Sequence, residues 1–295
     1  MSEMRVLFHV GWPKTATTSM QSHLRGYPNL AGKPHGRDGA AQAIGVVDEL
    51  IRHRMWSAEG LSSLLSSSLR DPTKPVILSD EALIAMPQRM WFEDLVGPFE
   101  VARRLAAVLG EKQVIFTLRN PRAMLRSTWL HHLREGQTQS YREFLDRVAE
   151  DRRTGTGPFA MLALVEHYVD LFGTESLFLA LSEDYFRDPA DFWKRFAATF
   201  NVNDFIADAS APRLNETVLG PVGVELTMNH LLRLVGTATR GRDTLPLRRR
   251  LTRTVSQRLR SDHQAFFARN TPAEDALVAE LDSEIAAIRS IVTVL

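Results

Sequence analysis

The chain has 295 residues, 44% of them hydrophobic, enough to fill one sizeable core. Lysine and arginine number 36 against 35 acids, a formal charge of +1, so no overall basic field points to nucleic acid and any anion site has to be local. The absence of cysteine excludes disulfides, a thiol nucleophile and a cysteine-bound metal. No stretch approaches a membrane span, the apolar run before Pro13 is shorter than a signal peptide needs, and a cytoplasmic setting is expected.

In chain order, the apolar run Val6-Leu7-Phe8-His9-Val10 predicts a buried parallel strand. It leads into Gly11-Trp12-Pro13-Lys14-Thr15-Ala16-Thr17-Thr18-Ser19, with a helix expected to begin at Thr17 or Thr18. A strand, a turn and a helix start gather free N–H groups and the positive end of the helix dipole at one point, where phosphate or sulfate oxygens bind well. Lys14 adds a full charge, and Thr15, Thr17, Thr18 and Ser19 add hydroxyls. The common nucleotide triphosphate loop reads G-x-x-x-x-G-K-[ST]; here Lys14 follows Pro13 and precedes the small residue Ala16. Gly26 to Gly39 reads as a turn-rich loop whose Lys33, His35 and Arg37 can meet an acceptor. Ala41 to Leu69 has helical spacing, with Ile44, Val47, Leu50 and Ile51 on one face.

Pro75-Val76-Ile77-Leu78 predicts a second buried strand, ending in Ser79-Asp80-Glu81. Acids at the carboxyl edge of a parallel strand can serve as a general base or cap the element that follows. Leu95 to Leu109 predicts an amphipathic helix, and Gln113 to Leu118 a third strand closed by Arg119-Asn120-Pro121. Pro121 suits the first turn of the next helix, which runs to about Arg134 and carries Ser127. Tyr141 to Ala149 and Phe159 to Phe172 are further helices, Leu177 to Leu181 a fourth strand, and Pro189 to Phe200 a helix with a core-facing stripe of Trp193, Phe196 and Phe200. Strands alternating with helices predict an α/β fold with a mostly parallel central sheet flanked by helices on both faces. From Leu219 the strand signals stop. Arg233 to Arg260 holds nine arginines against the single acid Asp243, and Ala273 to Ile291 closes the chain as an amphipathic helix. The expected organisation is one domain over 1–295, with an α/β core to residue 218 and a helical portion over 219–295.

Two segments carry a resemblance. Pro13-Lys14-Thr15-Ala16-Thr17-Thr18 resembles the 5′-phosphosulfate loop of the sulfotransferases that use 3′-phosphoadenosine 5′-phosphosulfate (PAPS), a family that usually has glycine where Ala16 stands. About a hundred residues on, Leu118 to Ser127 resembles the family's second signature, which implies that Arg119 and Ser127 bind the 3′-phosphate. The resemblance implies a P-loop-like fold and sulfuryl transfer from PAPS to a hydroxyl or amine of a carbohydrate, lipid or small-molecule acceptor, leaving 3′,5′-ADP without a metal. It also implies that Pro13, Lys14, Thr15, Ala16, Thr17 and Thr18 hold the 5′ end, with Lys14 stabilising the developing charge. Several carbohydrate sulfotransferases place a catalytic glutamate after the corresponding strand, whereas the cytosolic small-molecule enzymes use histidine, so Glu81 is the first candidate base and Asp80 the second. A late basic segment often closes over the nucleotide in this family, and Arg240 and Arg242 are the candidates here; the Arg-Lys-Gly pattern of the cytosolic enzymes is missing. Met86, Met90, Trp91, Phe92 and His131 are candidates for lining an acceptor pocket. Two rival readings are an ATP-dependent, kinase-like enzyme and a non-catalytic module that binds anions or nucleic acid through its arginines.

Overall fold

The structure is a computed structural model describing residues 4–12, 15, 17–24, 27–32, 46–47, 49–52, 56–84, 96–134, 137–202 and 271–295. Among these residues six strands form one parallel sheet: β1 (Arg5–Gly11), β2 (Leu30–Gly32), β3 (Val76–Ser79), β4 (Glu111–Leu118), β5 (Leu177–Leu181) and β6 (Thr293–Val294). Their spatial order is β2-β3-β1-β4-β5-β6. The chain leaves β1 for β2 and β3 on one side and then crosses to β4 on the other. A reversal of that kind opens a crevice at the carboxyl ends of the strands around it.

Four strands lie where the apolar runs predict them. The other two correct the sequence reading. β2 falls inside the segment expected to be a turn-rich loop, and its edge position is held by Asn29. The Asn29 amide oxygen accepts from the backbone N–H groups of Arg70 and Asp71, and its amide nitrogen donates to the carbonyls of Asp71 and Lys74. β6 follows the closing helix, in the portion expected to lack strands; it pairs with β5, and the Leu295 N–H donates to the Leu179 carbonyl. Strands of three and two residues are too short for an alternating pattern to register.

The described helices are α1 (Thr17–Leu24), α2 (Ala58–Ser66), α3 (Pro98–Ala106), α4 (Pro121–Arg134), α5 (Tyr141–Thr154), α6 (Met161–Phe172), α7 (Ser182–Arg187), α8 (Pro189–Phe200) and α9 (Pro272–Ile291). Proline opens α3, α4, α8 and α9, where its missing N–H has no intrahelical partner to lose. The expected continuous helix from Ala41 to Leu69 is interrupted: Ser57 is extended at φ −132°, and its side chain accepts from the Gly60 N–H to start α2 afresh. α5 opens with a reciprocal Ser140–Glu143 capping box and ends on Gly155 in the left-handed region at φ 66°.

Alternation along the strands sends residues to two cores. Val6, Phe8, Val10, Val114 and Phe116 join α2 to α6 and α9 on one face. Leu7, Ile77, Ile115 and Phe178 meet Met20 and Leu24 of α1 and the Phe192, Trp193, Phe196 and Phe200 stripe of α8 on the other. The helical cover on both faces is the arrangement a parallel sheet requires, because neither of its faces can meet water. α9 packs against α4, α5 and α6. Its Leu277, Leu281 and Ile288 are buried.

Candidate active site

Three neighbouring strands end at one edge. His9 of β1 is in register with Ser79 of β3, and Gly11 of β1 with Thr117 of β4. β1 continues to Trp12, Thr15 and Thr17, β3 to Asp80, and β4 to Arg119. Of the predicted site residues, Thr15, Thr17, Asp80 and Arg119 therefore follow strands that end at one carboxyl edge of the sheet.

The β1 end is folded tightly back on itself. Trp12 is fully buried, donates its indole N–H to the Pro158 carbonyl at 2.6 Å, and sets its ring against Phe116. The Thr15 hydroxyl donates to the Trp12 carbonyl at 2.6 Å, so it serves the turn itself. A Cβ on Gly11 would collide with the Thr17 methyl and sit 3.2 Å from Thr15 Oγ1, so only glycine lets α1 start this close to the strand. The early N–H groups of α1, which have no carbonyl within the helix to bond, lie just beyond that start. Gln21, one turn further, donates to the Ser79 carbonyl and ties α1 to β3. Pro13, Lys14 and Ala16 lie outside the described residues, as do the side chains of Thr18 and Glu81.

Asp80 is buried, and its Oδ1 accepts from the Ala82 N–H at 2.9 Å. It thereby caps the single 3₁₀ turn over Glu81–Leu83, the structural alternative the sequence left open. Arg119 is half-buried. Burial lowers its pKa below the ordinary guanidinium value, and the negative charge of Glu183 acts in the opposite direction. Glu183 also accepts from the Asn120 N–H at 2.9 Å, holding the loop after β4 against the first turn of α7. Two residues on, the Tyr185 hydroxyl meets His23 Nδ1 of α1 at 3.0 Å, and burial pushes that hydroxyl up to about 12. Ser127 lies half-buried about two turns into α4, with His131 about one turn beyond. Arg240, Arg242 and the rest of the basic segment lie outside the described residues, as do Lys33, His35, Arg37, Met86, Met90, Trp91 and Phe92.

Two groups of side chains are not anticipated by the motifs. Beneath the strand ends, His9 Nδ1 lies 2.7 Å from the Ser79 hydroxyl and Nε2 lies 2.6 Å from the Thr117 hydroxyl. All three are buried, and burial lowers the His9 pKa to about 4, which leaves a neutral ring between two hydroxyls. The signal was a polar residue near the carboxyl end of each of three apolar strands, since such a residue needs a buried partner. Further along α4, Arg126 forms a two-pronged pair with Glu274 of α9 at 2.6 and 2.9 Å, and the Tyr141 hydroxyl donates to the same carboxylate at 2.8 Å. Arg122 adds Asp275 at 2.7 Å. Burial alone would raise the Glu274 carboxyl, but hydrogen bonds from Arg126 and Tyr141 hold it below its ordinary value.

No protein-family model matches the chain, and no curated protein matches it in sequence. Among solved structures, it is similar to a sulfotransferase from Alicyclobacillus acidocaldarius at 20% identity and TM-score 0.48, over 91% of this chain and 98% of the other. It is similar to the sulfotransferase domain of the Synechococcus PCC 7002 olefin synthase at 14% identity and TM-score 0.39, over 73% and 80% of the two chains. A mouse sulfotransferase, SULT7A1, complexed with PAP, is similar at 13% identity and TM-score 0.43, over 98% of this chain and 87% of the other.

Proposed function

We propose that this chain is a sulfotransferase that moves a sulfuryl group from PAPS to a hydroxyl or amine of a small-molecule, glycan or lipid acceptor and releases 3′,5′-ADP. The observation that supports this most is the meeting of three strand ends where the strand order reverses. One end runs into the Pro13–Thr18 loop, one into Asp80 and Glu81, and one into Arg119.

PAPS supplies a sulfuryl group on a phosphate leaving group and carries a second phosphate at the 3′ position. The residues at the sheet edge fit such a molecule: Gly11 leaves no room for a side chain where the loop folds back, and α1 starts beside it. Lys14 and the first N–H groups of α1 stabilise negative charge that grows at the 5′ end during transfer. Arg119 grips the 3′-phosphate with paired N–H groups, in a half-buried position where charge is screened less than at the surface. The Ser127 hydroxyl adds a further hydrogen bond. Glu81 takes the proton of the acceptor, a role supported by the cap to which Asp80 commits Oδ1. Arg240 and Arg242 close over the nucleotide, so that residues 219–295 work with the α/β core as one domain. The scheme calls on no metal.

Thermal shift with three ligands tests this reading. A ligand at a hundred times its dissociation constant stabilises by about 2.7 kcal/mol. The expected result is stabilisation by 3′,5′-ADP and none by ATP with magnesium or by an oligonucleotide. Stabilisation by ATP with magnesium alone would favour a kinase-like enzyme, and a salt-sensitive shift with the oligonucleotide alone a binding module.

A further inference from the structure

The buried group of His9, Ser79 and Thr117 spans the three strands whose ends carry the proposed site: His9 is in register with Ser79, and Thr117, in register with Gly11, lies two residues further along β4 on the same face. Ser79 immediately precedes Asp80, Thr117 stands two residues before Arg119, and His9 stands five before Lys14. We infer that His9 is a positioning residue for the sulfuryl-transfer site: its link to Thr117 aligns the 5′ arm of the nucleotide site with the 3′ arm, and its link to Ser79 aligns the 5′ arm with the base. The inference rests on the function proposed above.

The physical case begins with register. Near the site the other facing positions are mostly apolar, while the charged and polar partners Glu111, Lys112 and Gln113 lie at the far, amino end of β4. Val6, Leu7 and Phe8 of β1 pair with Val76, Ile77 and Leu78 of β3, and Phe8 and Val10 pair with Val114 and Phe116 of β4. A slip of two residues would keep every side chain on its own face, so such pairs discriminate weakly against it. It would displace one strand end against the next by about 7 Å, the span of two residues. A buried imidazole held by two hydroxyls at 2.7 and 2.6 Å removes that tolerance, because a slip of either neighbour against β1 strands a buried ring nitrogen and a buried hydroxyl without partners. The ring is satisfied in either neutral tautomer, since each hydroxyl can donate or accept. No charge is thereby introduced beneath a site built for anions. The alignment extends to the helix that opens the site: Gln21 of α1 donates to the carbonyl of the same Ser79.

The two links can be cut separately, and the nucleotide reports the difference. Thr117→Val keeps the shape of the side chain and removes only its hydrogen bond, Thr117→Ser keeps the bond, and Ser79→Ala cuts the other link. These variants are preferred to removal of the His9 ring, which cuts both links at once. Titration calorimetry on the full chain uses 3′,5′-ADP, which reaches both arms, and 5′-AMP, which lacks the 3′-phosphate. Thr117→Val should weaken 3′,5′-ADP about tenfold while 5′-AMP changes by less than about threefold. Thr117→Ser should restore 3′,5′-ADP binding, and Ser79→Ala should leave it within about threefold. Equal losses for both ligands in Thr117→Val, no loss for either, or the same loss in Ser79→Ala would overturn the positioning role while leaving the proposed function intact. A wild-type chain that ignores 3′,5′-ADP would overturn both.

Discussion

Two polar groups hold this molecule together in different ways. The one beneath the strand ends, His9 with Ser79 and Thr117, is neutral throughout. The one between α4 and α9, Arg126 and Arg122 with Glu274, Asp275 and Tyr141, is ionic and borders solvent. The difference follows from position. Deep between strands a charge is costly to bury, and hydroxyl-to-imidazole hydrogen bonds satisfy polar atoms without one. At the helix interface Arg126 keeps part of its surface in water, so pairing it with Glu274 costs less than full burial of both ions would. It follows that the strand-end network adds no charge beneath the proposed site.

The largest expected effect tests that division directly. Lys14→Ala should lower the rate of 3′,5′-ADP release from PAPS and acceptor by about 10²–10³-fold, the usual cost of losing one fixed donor at a developing charge, with an unchanged melting temperature. A melting temperature that falls along with the rate would show that the loop is part of the scaffold.

The next effect separates the two groups by pH. The His9 pKa is depressed from 6.5 to about 4, so the unfolded chain binds the extra proton first as pH falls. The stability that comes from burying the neutral ring is complete above pH 6.5 and is lost progressively down to about pH 4, a total of about 3 kcal/mol. Glu274 is depressed from 4.5, so its contribution is complete above about pH 4.5 and is lost as pH falls through its lowered folded value. Urea midpoints taken from pH 8 to pH 3 should therefore fall in two windows. His9→Gln, which does not titrate, should flatten the upper one only.

Glu274→Gln removes the carboxylate shared by Arg126 and Tyr141 and should cost about 2 kcal/mol, read from the urea midpoint. The smallest effect should come from Asp275→Asn, which breaks the half-exposed Arg122 pair and should shift stability by less than about 0.5 kcal/mol. If the two substitutions cost the same, the ionic group acts as a surface pair throughout, and its contrast with the strand-end network is lost.

The parallel sheet, four of its strands and most of the described helices were legible in the residues alone. Apolar runs such as Val76-Ile77-Leu78 and helix starts such as Pro121 act over a few neighbours, and local rules read them well. β2 and β6 were not legible, because pairing with β3 and β5 makes strands of residues too few to show a period. For the proposed site, sequence nominated the loop after β1, the acids after β3 and the arginine after β4, since each directly follows an apolar strand run. Which of the two acids caps the 3₁₀ turn was decided only by the fold, through the reach of Asp80 Oδ1 to the Ala82 N–H. The same holds for the partners of His9, which come from residues 70 and 108 positions away, and for Arg126 with Glu274, 148 positions apart. Local chemistry determines where a strand, a cap or an anion-binding turn forms. Long-range hydrogen bonds depend on which elements become neighbours, and that is settled only when the whole sheet assembles.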